Sequence, residues 1–138
     1  MRGFLNIEIT GFLAAPPQRG KGKKGEWAKL RLTVQEMPYL KDGEVVDGFT
    51  STYTVWLNGP LVSELEKAHP IVGDWITVQA SKVRAKSWLG ENGRPRGAFV
   101  EFNAEALKFP EREEIAALIA AQREEVAALL TAEEEPKS

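Results

Sequence analysis

Apolar and polar residues alternate along several stretches of the chain, which is the period-2 pattern of β-strands with one buried face. The first stretch covers residues 4–10 and the second covers residues 27–34. Two stretches rich in β-branched and aromatic residues follow at 49–57 and 75–88, and a further alternating stretch covers 98–109. The pattern therefore predicts five strands.

The second stretch has the clearest difference between its two faces. One face is entirely apolar and consists of Ala28, Leu30, Leu32 and Val34. The other face is aromatic, cationic and polar and consists of Trp27, Lys29, Arg31 and Thr33. We expect the apolar face to lie in the core and the other face to contact solvent or a ligand. In the third stretch Trp56 has the outward parity of Thr54, while Val55 and Leu57 have the inward parity.

A short helix is predicted between the third and fourth strands. Residues 61–68 have a helical pattern, and Pro60 is tolerated in the first turn of a helix. Five strands with one helix at this place are the order of the OB barrel. An immunoglobulin-like sandwich would need about seven strands. The sequence therefore predicts an all-β fold, a five-stranded OB-fold barrel with one short helix between strands 3 and 4, plus a C-terminal α-helix.

The C-terminal helix is predicted from an eleven-residue repeat, 113–123 and 124–134. Because eleven residues make almost three helical turns, the repeat keeps its apolar residues on one stripe. The stripe consists of Ile115, Leu118, Ile119, Val126, Leu129 and Leu130. We predict an amphipathic helix over 111–132, and a chain divided into an OB-fold domain, 1–110, and a C-terminal segment, 111–138. The stripe is expected to pack between subunits or, as second choice, on its own barrel; an autoinhibitory return to the basic groove is the third arrangement.

Two segments between the strands have turn-forming compositions. Residues 18–25 combine glycines with four cations and are predicted to form a flexible basic loop. Residues 35–48 are predicted to form a long hairpin, with Lys41-Asp42-Gly43 near its tip.

Composition and charge exclude several classes of protein. The chain has no cysteine, which excludes a disulfide framework and thiolate chemistry. Polar residues interrupt its N-terminus too early for a signal peptide, and no apolar run approaches the roughly 20 residues of a membrane-spanning helix. We expect a cytoplasmic protein with no membrane partner. The net charge of −2 conceals an asymmetry, since residues 1–110 hold 15 Lys and Arg against 12 Asp and Glu, while 111–138 hold 3 against 8.

The sequence has no recognisable catalytic constellation. His69 is the single histidine, and its place before Pro70 indicates a helix terminus. One histidine without cysteine makes a zinc site improbable, and phosphate-loop and nucleophile-elbow spacings are absent. Glu91 and Glu101 are interpreted as ordinary hairpin and strand carboxylates. We predict a non-enzyme without metal or cofactor.

Aromatic residues interleaved with cations point to a different chemistry. Proteins that bind single-stranded nucleic acid combine aromatic faces, on which bases stack, with a positive groove for the phosphates. The stacking candidates are Trp27, Tyr39, Trp56 and Trp88. The candidate phosphate contacts are Arg19, Lys21, Lys23, Lys24, Lys29, Arg31, Lys82, Arg84, Lys86, Arg94 and Arg96. Trp75 begins a strand and is predicted to be structural.

The order of three motifs resembles the bacterial single-stranded DNA-binding protein family. The motifs are Gly11-Phe12-Leu13 before the basic segment, Val55–Leu61 with the helix and Gly73–Val78 after it, and Lys86-Ser87-Trp88 with a final strand ending at Phe109. Together they cover about residues 5–109. Thr52-Tyr53 stands where the family commonly has a tryptophan. The C-terminus lacks the family's glycine- and glutamine-rich linker and its acidic-hydrophobic tip, so recruitment of repair enzymes by that tip is not supported.

The resemblance implies sequence-tolerant binding of single-stranded DNA in replication, repair or recombination, by a homo-oligomer that is a dimer or a tetramer. Two alternatives remain open at the level of sequence. One is an OB-fold oligomeric adaptor that uses its C-terminal helix for protein contacts. The other is a primosome-type accessory protein, which shares the fold and the single-strand binding.

Overall fold

Eight β-strands and two α-helices make up the described part of the chain. The computed structural model describes the backbone of residues 6–89, 93 and 95–134 and the side chains of residues 6–85, 93 and 100–130. The strands are β1 (Ile7–Leu13), β2 (Gln18–Gly22), β3 (Gly25–Gln35), β4 (Tyr39–Lys41), β5 (Glu44–Val46), β6 (Thr50–Asn58), β7 (Trp75–Leu89) and β8 (Pro95–Lys108). The helices are α1 (Pro60–Ala68), between β6 and β7, and α2 (Arg112–Glu134). The predicted mainly β character is confirmed, and both predicted helices are present.

Five of the strands pair in a closed circuit. β1 pairs antiparallel with β7, β7 pairs antiparallel with β8, and β8 pairs parallel with β6. β6 lies beside β3, and β3 returns to β1 in an antiparallel pairing. β2 extends this sheet to six strands by pairing with β3, whereas β4 and β5 form a separate two-stranded sheet.

The core consists of the inward-facing residues of the circuit together with α1. The alternation predicted for the second and third strands is confirmed. Ala28, Leu30 and Leu32 of β3 and Val55 and Leu57 of β6 are fully buried, and Val34 is partly buried against the same core. The residues that are at most 2% exposed include Leu13, Ala28, Leu30, Leu32, Val55, Leu57, Val62, Leu65, Ile76 and Val78. Each fully buried valine, leucine or isoleucine side chain contributes roughly 1.5–3 kcal/mol to folding. The core therefore fixes which residues the strands present outward.

The C-terminus of α1 lies where the sequence predicts it. His69 is the C-cap residue, in the left-handed region with φ 47°, and its backbone N–H donates a hydrogen bond of 2.9 Å to the carbonyl of Leu65. The interpretation of His69 as a helix-terminus residue is confirmed.

The basic segment 18–25 is a strand and a tight turn, so the prediction of a flexible loop is wrong. β2 pairs in register with β3, from Gln18 opposite Lys29 to Gly22 opposite Gly25. Most residues of β2 are exposed. An edge strand whose side chains stay exposed shows no alternation of apolar and polar residues, and periodicity therefore misses it.

Two β-bulges change the orientation of residues in the long β7–β8 pair. Gln79 is paired with Ala106 and Ala80 with Ala104, which leaves Glu105 as an extra residue on β8. The next partner pair joins residues 82 and 103, which leaves Ser81 as an extra residue on β7. The Ser81 hydroxyl donates a hydrogen bond to the Glu105 carboxylate. Because of these bulges, Ile76, Val78 and Ala80 face inward, whereas Lys82 and Arg84 face outward.

Contacts divide the chain into two compact units. The first unit comprises Met1–Val34 and Thr52–Phe109, and the second comprises Gln35–Ser51 and Pro110–Ser138. The division predicted from composition, 1–110 and 111–138, assigns the hairpin to the barrel. The contact-based units group the hairpin with the C-terminal helix, and the predicted division stays a prediction.

The second unit is the predicted hairpin with α2 against it. β4 and β5 are joined by a two-residue turn in which Asp42 and Gly43 have φ values of 52° and 78°. This left-handed pair is typical of a type I′ turn, whose twist suits a two-residue hairpin. α2 contacts both β4 and β5.

The apolar stripe of α2 is only partly covered. Ile115 and Val126 are buried, at 5% and 8% exposure, but Leu118, Ile119 and Leu129 remain 46%, 42% and 56% exposed. Within a single chain these three residues of the stripe are not covered. Packing of the helix between subunits stays a prediction.

Candidate nucleic-acid interface

Four neighbouring strands present one continuous surface on the side away from the core. Directly paired residues lie on the same side of a sheet, and β6 pairs Thr54 with Glu101 and Trp56 with Asn103. β7 joins the same side of β8 through partner pairs 82–103 and 84–101. β3 presents the residues that alternate with its buried ones. We call this surface the outer face, and it consists of Trp27, Lys29, Arg31, Thr54, Trp56, Lys82, Arg84, Glu101 and Asn103.

Two tryptophans meet on the outer face. The ring centroids of Trp27 and Trp56 lie 5.5 Å apart with an interplanar angle of 62°, an edge-to-face arrangement. The Lys29 ammonium lies 5.6 Å from the centroid of the Trp56 ring, within the range of a cation–π interaction. Both indoles are half-buried, so each retains accessible surface. The structure thus brings together two predicted stacking residues and one predicted phosphate contact.

Gly20 supports the indole of Trp27 from below. Gly20 is the β2 partner of Trp27, and a Cβ atom at this position would overlap ring atoms Cζ2 and Cε2 of the indole. The ring therefore lies on the bare backbone of the edge strand. Sequence reasoning missed this role. A glycine that a hairpin register places opposite an aromatic residue is the signal that would reveal it.

Exposed cations extend the outer face on both sides of the tryptophans. Arg31 of β3 and Lys82 and Arg84 of β7 are exposed. The outward direction of the two β7 cations depends on the extra residue Ser81. Without it their even numbering would place them with Ile76 and Val78 in the core.

Glu101 is a charged residue of the outer face that the sequence interpretation treats as an ordinary strand carboxylate. It is only 7% exposed and is paired in register with Arg84 on one side and with Thr54 on the other. A buried carboxylate requires hydrogen bonds or an opposite charge to offset the loss of water. Burial of this kind depends on the neighbouring strands, so a single-sequence pattern does not reveal it.

The cations of β2 lie on the opposite side of the hairpin from Trp27. Arg19 is paired with the buried Ala28, and Lys21 is paired with Glu26. Arg19 Nη1 forms an ion pair of 3.2 Å with Glu66 Oε1 of α1. The residues around this pair line an open depression of about 280 Å³: Arg19, Gly20, Lys21, Glu26, Trp27, Val62 and Glu66. Lys23 and Lys24 occupy the exposed turn between β2 and β3. The predicted basic set is therefore divided between two sides of the sheet.

Tyr39 belongs to the second unit, where it has an aromatic partner that the sequence analysis missed. The rings of Tyr39 and Phe49 are stacked, with centroids 6.1 Å apart and an interplanar angle of 15°. Phe49 is 72% exposed and Tyr39 is 36% exposed. The arms of the hairpin approach closely here, because a Cβ atom at Gly48 would overlap the backbone carbonyl of Glu36. An exposed stacked pair of this kind offers apolar surface to another ring.

Several predicted site residues lie outside the described residues. The backbone of β7 places Trp88 opposite Gly97 of β8, but the side chains of Lys86, Trp88 and Arg96 are outside the described part of the structure. Arg94 lies outside it entirely. Their roles stay predictions.

The remaining predicted features have simple structural roles. Trp75 makes an edge-to-face contact with Phe12, with centroids 5.6 Å apart, which agrees with the structural role predicted for it. Over residues 6–85 and 100–130, acidic and histidine side chains form no group of three or more that could hold a metal ion. Neither α1 nor α2 has the length and apolar character needed to span a membrane.

Comparison with known proteins gives matches in structure alone. No family model and no curated protein matches the sequence. The small single-stranded DNA-binding protein from Streptomyces coelicolor is 24% identical, with a TM-score of 0.65 over 81% of this chain and 99% of that one. The Plasmodium falciparum SSB in complex with ssDNA is 17% identical, with a TM-score of 0.64 over 80% and 98%. The single-stranded DNA binding protein from Thermus aquaticus is 20% identical, with a TM-score of 0.62 over 83% and 53%. The predicted resemblance is confirmed at the level of the fold.

Proposed function

We propose that this chain binds single-stranded DNA with little sequence preference, and that the outer face is its principal binding surface. The observation that carries the proposal is the edge-to-face pair of Trp27 and Trp56 with Lys29 beside it, on a face that also presents exposed cations. We further propose that the closed circuit of β1, β3, β6, β7 and β8 is an OB barrel of five strands, with α1 between its third and fourth strands. The three structures compared above are all of single-stranded DNA-binding proteins.

The proposed mechanism divides the binding free energy between stacking and phosphate neutralisation. A base stacked on an aromatic side chain contributes about 1–3 kcal/mol, and every base has a face to stack. This interaction is therefore tolerant of sequence. Lys29, Arg31, Lys82 and Arg84 lie where they can neutralise phosphates that run past the tryptophans. The carboxylate of Glu101 lies on the same face and makes the outer face less positive than its four cations alone would make it.

A fluorescence titration tests the proposal directly. We expect oligo-dT to quench the emission of the full chain, because stacking on Trp27 or Trp56 brings a base against the indole. Replacing Trp56 with Ala should weaken binding by about 1–3 kcal/mol. Trp75→Phe is the matched control, since Trp75 packs on Phe12 away from the proposed site. Tryptophan emission that does not change when oligo-dT is added, together with no detectable binding, would refute the proposal.

A pair of lysine variants separates phosphate contact from total charge. Lys29→Gln removes a cation from the outer face, and Lys67→Gln removes one from the last turn of α1. Both variants lower the net charge equally. We expect only Lys29→Gln to reduce the dependence of affinity on salt, by about 0.7 in the log–log slope. Equal reductions in both variants would assign the binding to net charge instead.

The biological setting follows from this function. A sequence-tolerant binder of single strands serves replication, repair or recombination, and we propose that the chain acts there as a binding protein rather than an enzyme. We also propose a homo-oligomer, with the dimer and the tetramer distinguished by mass measurements with and without oligonucleotide.

One observation favours a second candidate function. Leu118, Ile119 and Leu129 of α2 remain exposed, which suits an OB-fold adaptor that contacts protein through this helix. An adaptor would form complexes or oligomers whose stability depends on these three residues and would leave the tryptophan emission unchanged by oligo-dT. A primosome-type accessory protein would combine both behaviours.

A further inference from the structure

The β4–β5 hairpin carries an aromatic pair but has little structure of its own. Each strand has three residues, and the two strands pair with each other in a sheet separate from the main one. A single two-stranded hairpin is at best marginally stable in water. Nevertheless, Tyr39 begins β4 and stacks on Phe49, which follows β5 by three residues. Something else must hold these two rings in a fixed place.

α2 supplies the missing second layer. Ile115 and Val126 are eleven residues apart, which places them on one line of the helix, and both are buried. Between them, Arg123 Nη1 donates a hydrogen bond to Asp47 Oδ1, one residue beyond β5. The helix contacts both β4 and β5, and the ion pair joins it to the residue that follows β5. We infer that its two buried apolar residues face the hairpin. The support is mutual, because a helix of this length also needs packing to be stable in water.

We propose that α2 is a brace that holds the hairpin and so positions the Tyr39–Phe49 pair for stacking with bases of single-stranded DNA. Ile115, Val126 and Arg123 are then positioning residues, which act through the hairpin without contacting the DNA. This inference rests on the proposed function. A hairpin ordered in advance loses less conformational entropy on binding, and affinity rises accordingly.

The charges of α2 support an indirect role. The surface of the helix away from its buried line carries four exposed carboxylates, Glu113, Glu114, Glu124 and Glu125. These carboxylates would repel phosphates, so direct contact between α2 and DNA is unfavourable. We therefore attribute a favourable effect of α2 on affinity to the element that it supports.

Two aspartate substitutions on the same helix provide a matched test. Val126→Asp places a charge at a position that is 8% exposed, whereas Leu129→Asp places the same charge at a position that is 56% exposed. Amide hydrogen exchange of the full chain without DNA gives the first measurement. We expect amides of β4 and β5 to exchange at least about tenfold faster in Val126→Asp, with β3 and β7 unchanged and Leu129→Asp like the parent. Unchanged exchange of β4 and β5 in Val126→Asp would overturn the brace, whatever the chain binds.

Oligo-dT affinity gives the second measurement. Val126→Asp should weaken binding by about fivefold or more, comparable with the loss of one stacked base, and Leu129→Asp should bind as the parent does. Phe49→Ala should weaken binding in the parent and have little further effect in Val126→Asp, because the pair is already displaced there. Fully additive losses, or tighter binding by Val126→Asp as autoinhibition requires, would overturn the inference.

The ion pair provides a milder variant in case Val126→Asp unfolds the chain. Arg123→Ala removes the partner of Asp47, and Arg112→Ala removes the same charge one repeat earlier on the same helix. The charge exchange Asp47→Arg with Arg123→Asp preserves net charge and should restore hairpin protection and affinity lost in Arg123→Ala. Equal losses in Arg123→Ala and Arg112→Ala would contradict positioning. A parent chain that does not bind oligo-dT would refute the proposed function and leave the exchange measurement to decide the brace.

Discussion

A methyl group added at Gly20 should displace the ring of Trp27, and its effect on DNA affinity can be compared with its effect on the stability of the sheet. Gly20 and Gly22 both lie on β2, two residues apart, and therefore face the same side. A Cβ atom at Gly20 would overlap the indole of Trp27, whereas a Cβ atom at Gly22 would lie 3.8 Å from Cδ1 of the same ring, an ordinary van der Waals distance. Gly20→Ala and Gly22→Ala are therefore a matched pair that differs in one contact.

The expected magnitude follows from what the displaced ring loses. In Gly20→Ala the indole must move, which disrupts its edge-to-face contact with Trp56, worth about 0.5–1.5 kcal/mol to stability. A base that stacks on Trp27 would lose about 1–3 kcal/mol, which is roughly a 5- to 150-fold increase in Kd. Gly22→Ala shares the reduced entropy of the unfolded chain, about 0.4–1 kcal/mol in favour of folding, without the displacement.

The assay combines affinity with stability. Fluorescence anisotropy with labelled oligo-dT gives Kd for the parent and both variants, and urea unfolding gives their free energies of unfolding. We expect Gly20→Ala to bind at least about fivefold more weakly while it unfolds within about 1.5 kcal/mol of the parent. If both variants bind like the parent, then either Gly20 does not support the ring of Trp27 or Trp27 does not contribute to binding. If Gly20→Ala unfolds much more easily, Trp27 is mainly a packing residue.

Three further predictions test the outer face and its support. The log–log slope of affinity against salt should be about −3, from four cations at about 0.7 each, and a slope near zero would exclude phosphate contact by Lys29, Arg31, Lys82 and Arg84. Trp88→Ala should reduce oligo-dT affinity by about 1–3 kcal/mol at unchanged stability, whereas a large loss of stability would assign Trp88 to the core. Leu57→Ala, which truncates a fully buried side chain, should lower the free energy of unfolding by about 2–5 kcal/mol in urea, and a change below about 1 kcal/mol would contradict its place in the core.

The core strands could be predicted from the sequence because each of them has one buried face. In β3 this condition produces the alternation of Ala28, Leu30 and Leu32 with Trp27 and Lys29, and the same logic holds in β6. β2 escaped prediction because most of its residues are exposed. Its pairing with β3 depends on strand register, which local composition does not specify.

The contacts of the site residues were harder to predict, because they depend on distant parts of the chain. The support of Trp27 by Gly20 requires the register of a hairpin, and the burial of Glu101 requires β6 and β7 on either side. The outward direction of Lys82 depends on the extra residue Ser81. Simple parity would group Lys82 with the inward Ile76, so an alternation rule applied across a bulge gives the wrong face.

The two aromatic pairs differ in what holds them, and this difference determines which measurement reports on each. Trp27 and Trp56 lie on β3 and β6, whose other faces form the core. These strands therefore separate from the sheet only when the whole barrel unfolds. Tyr39 and Phe49 lie on a hairpin that, with α2, forms a separate compact unit with few buried residues, among them Ile115 and Val126. Units with few buried contacts open locally at lower free energy than the core. A melting curve therefore reports on the structure that holds Trp27 and Trp56. Hydrogen exchange and affinity measurements are needed to report on the structure that holds Tyr39 and Phe49.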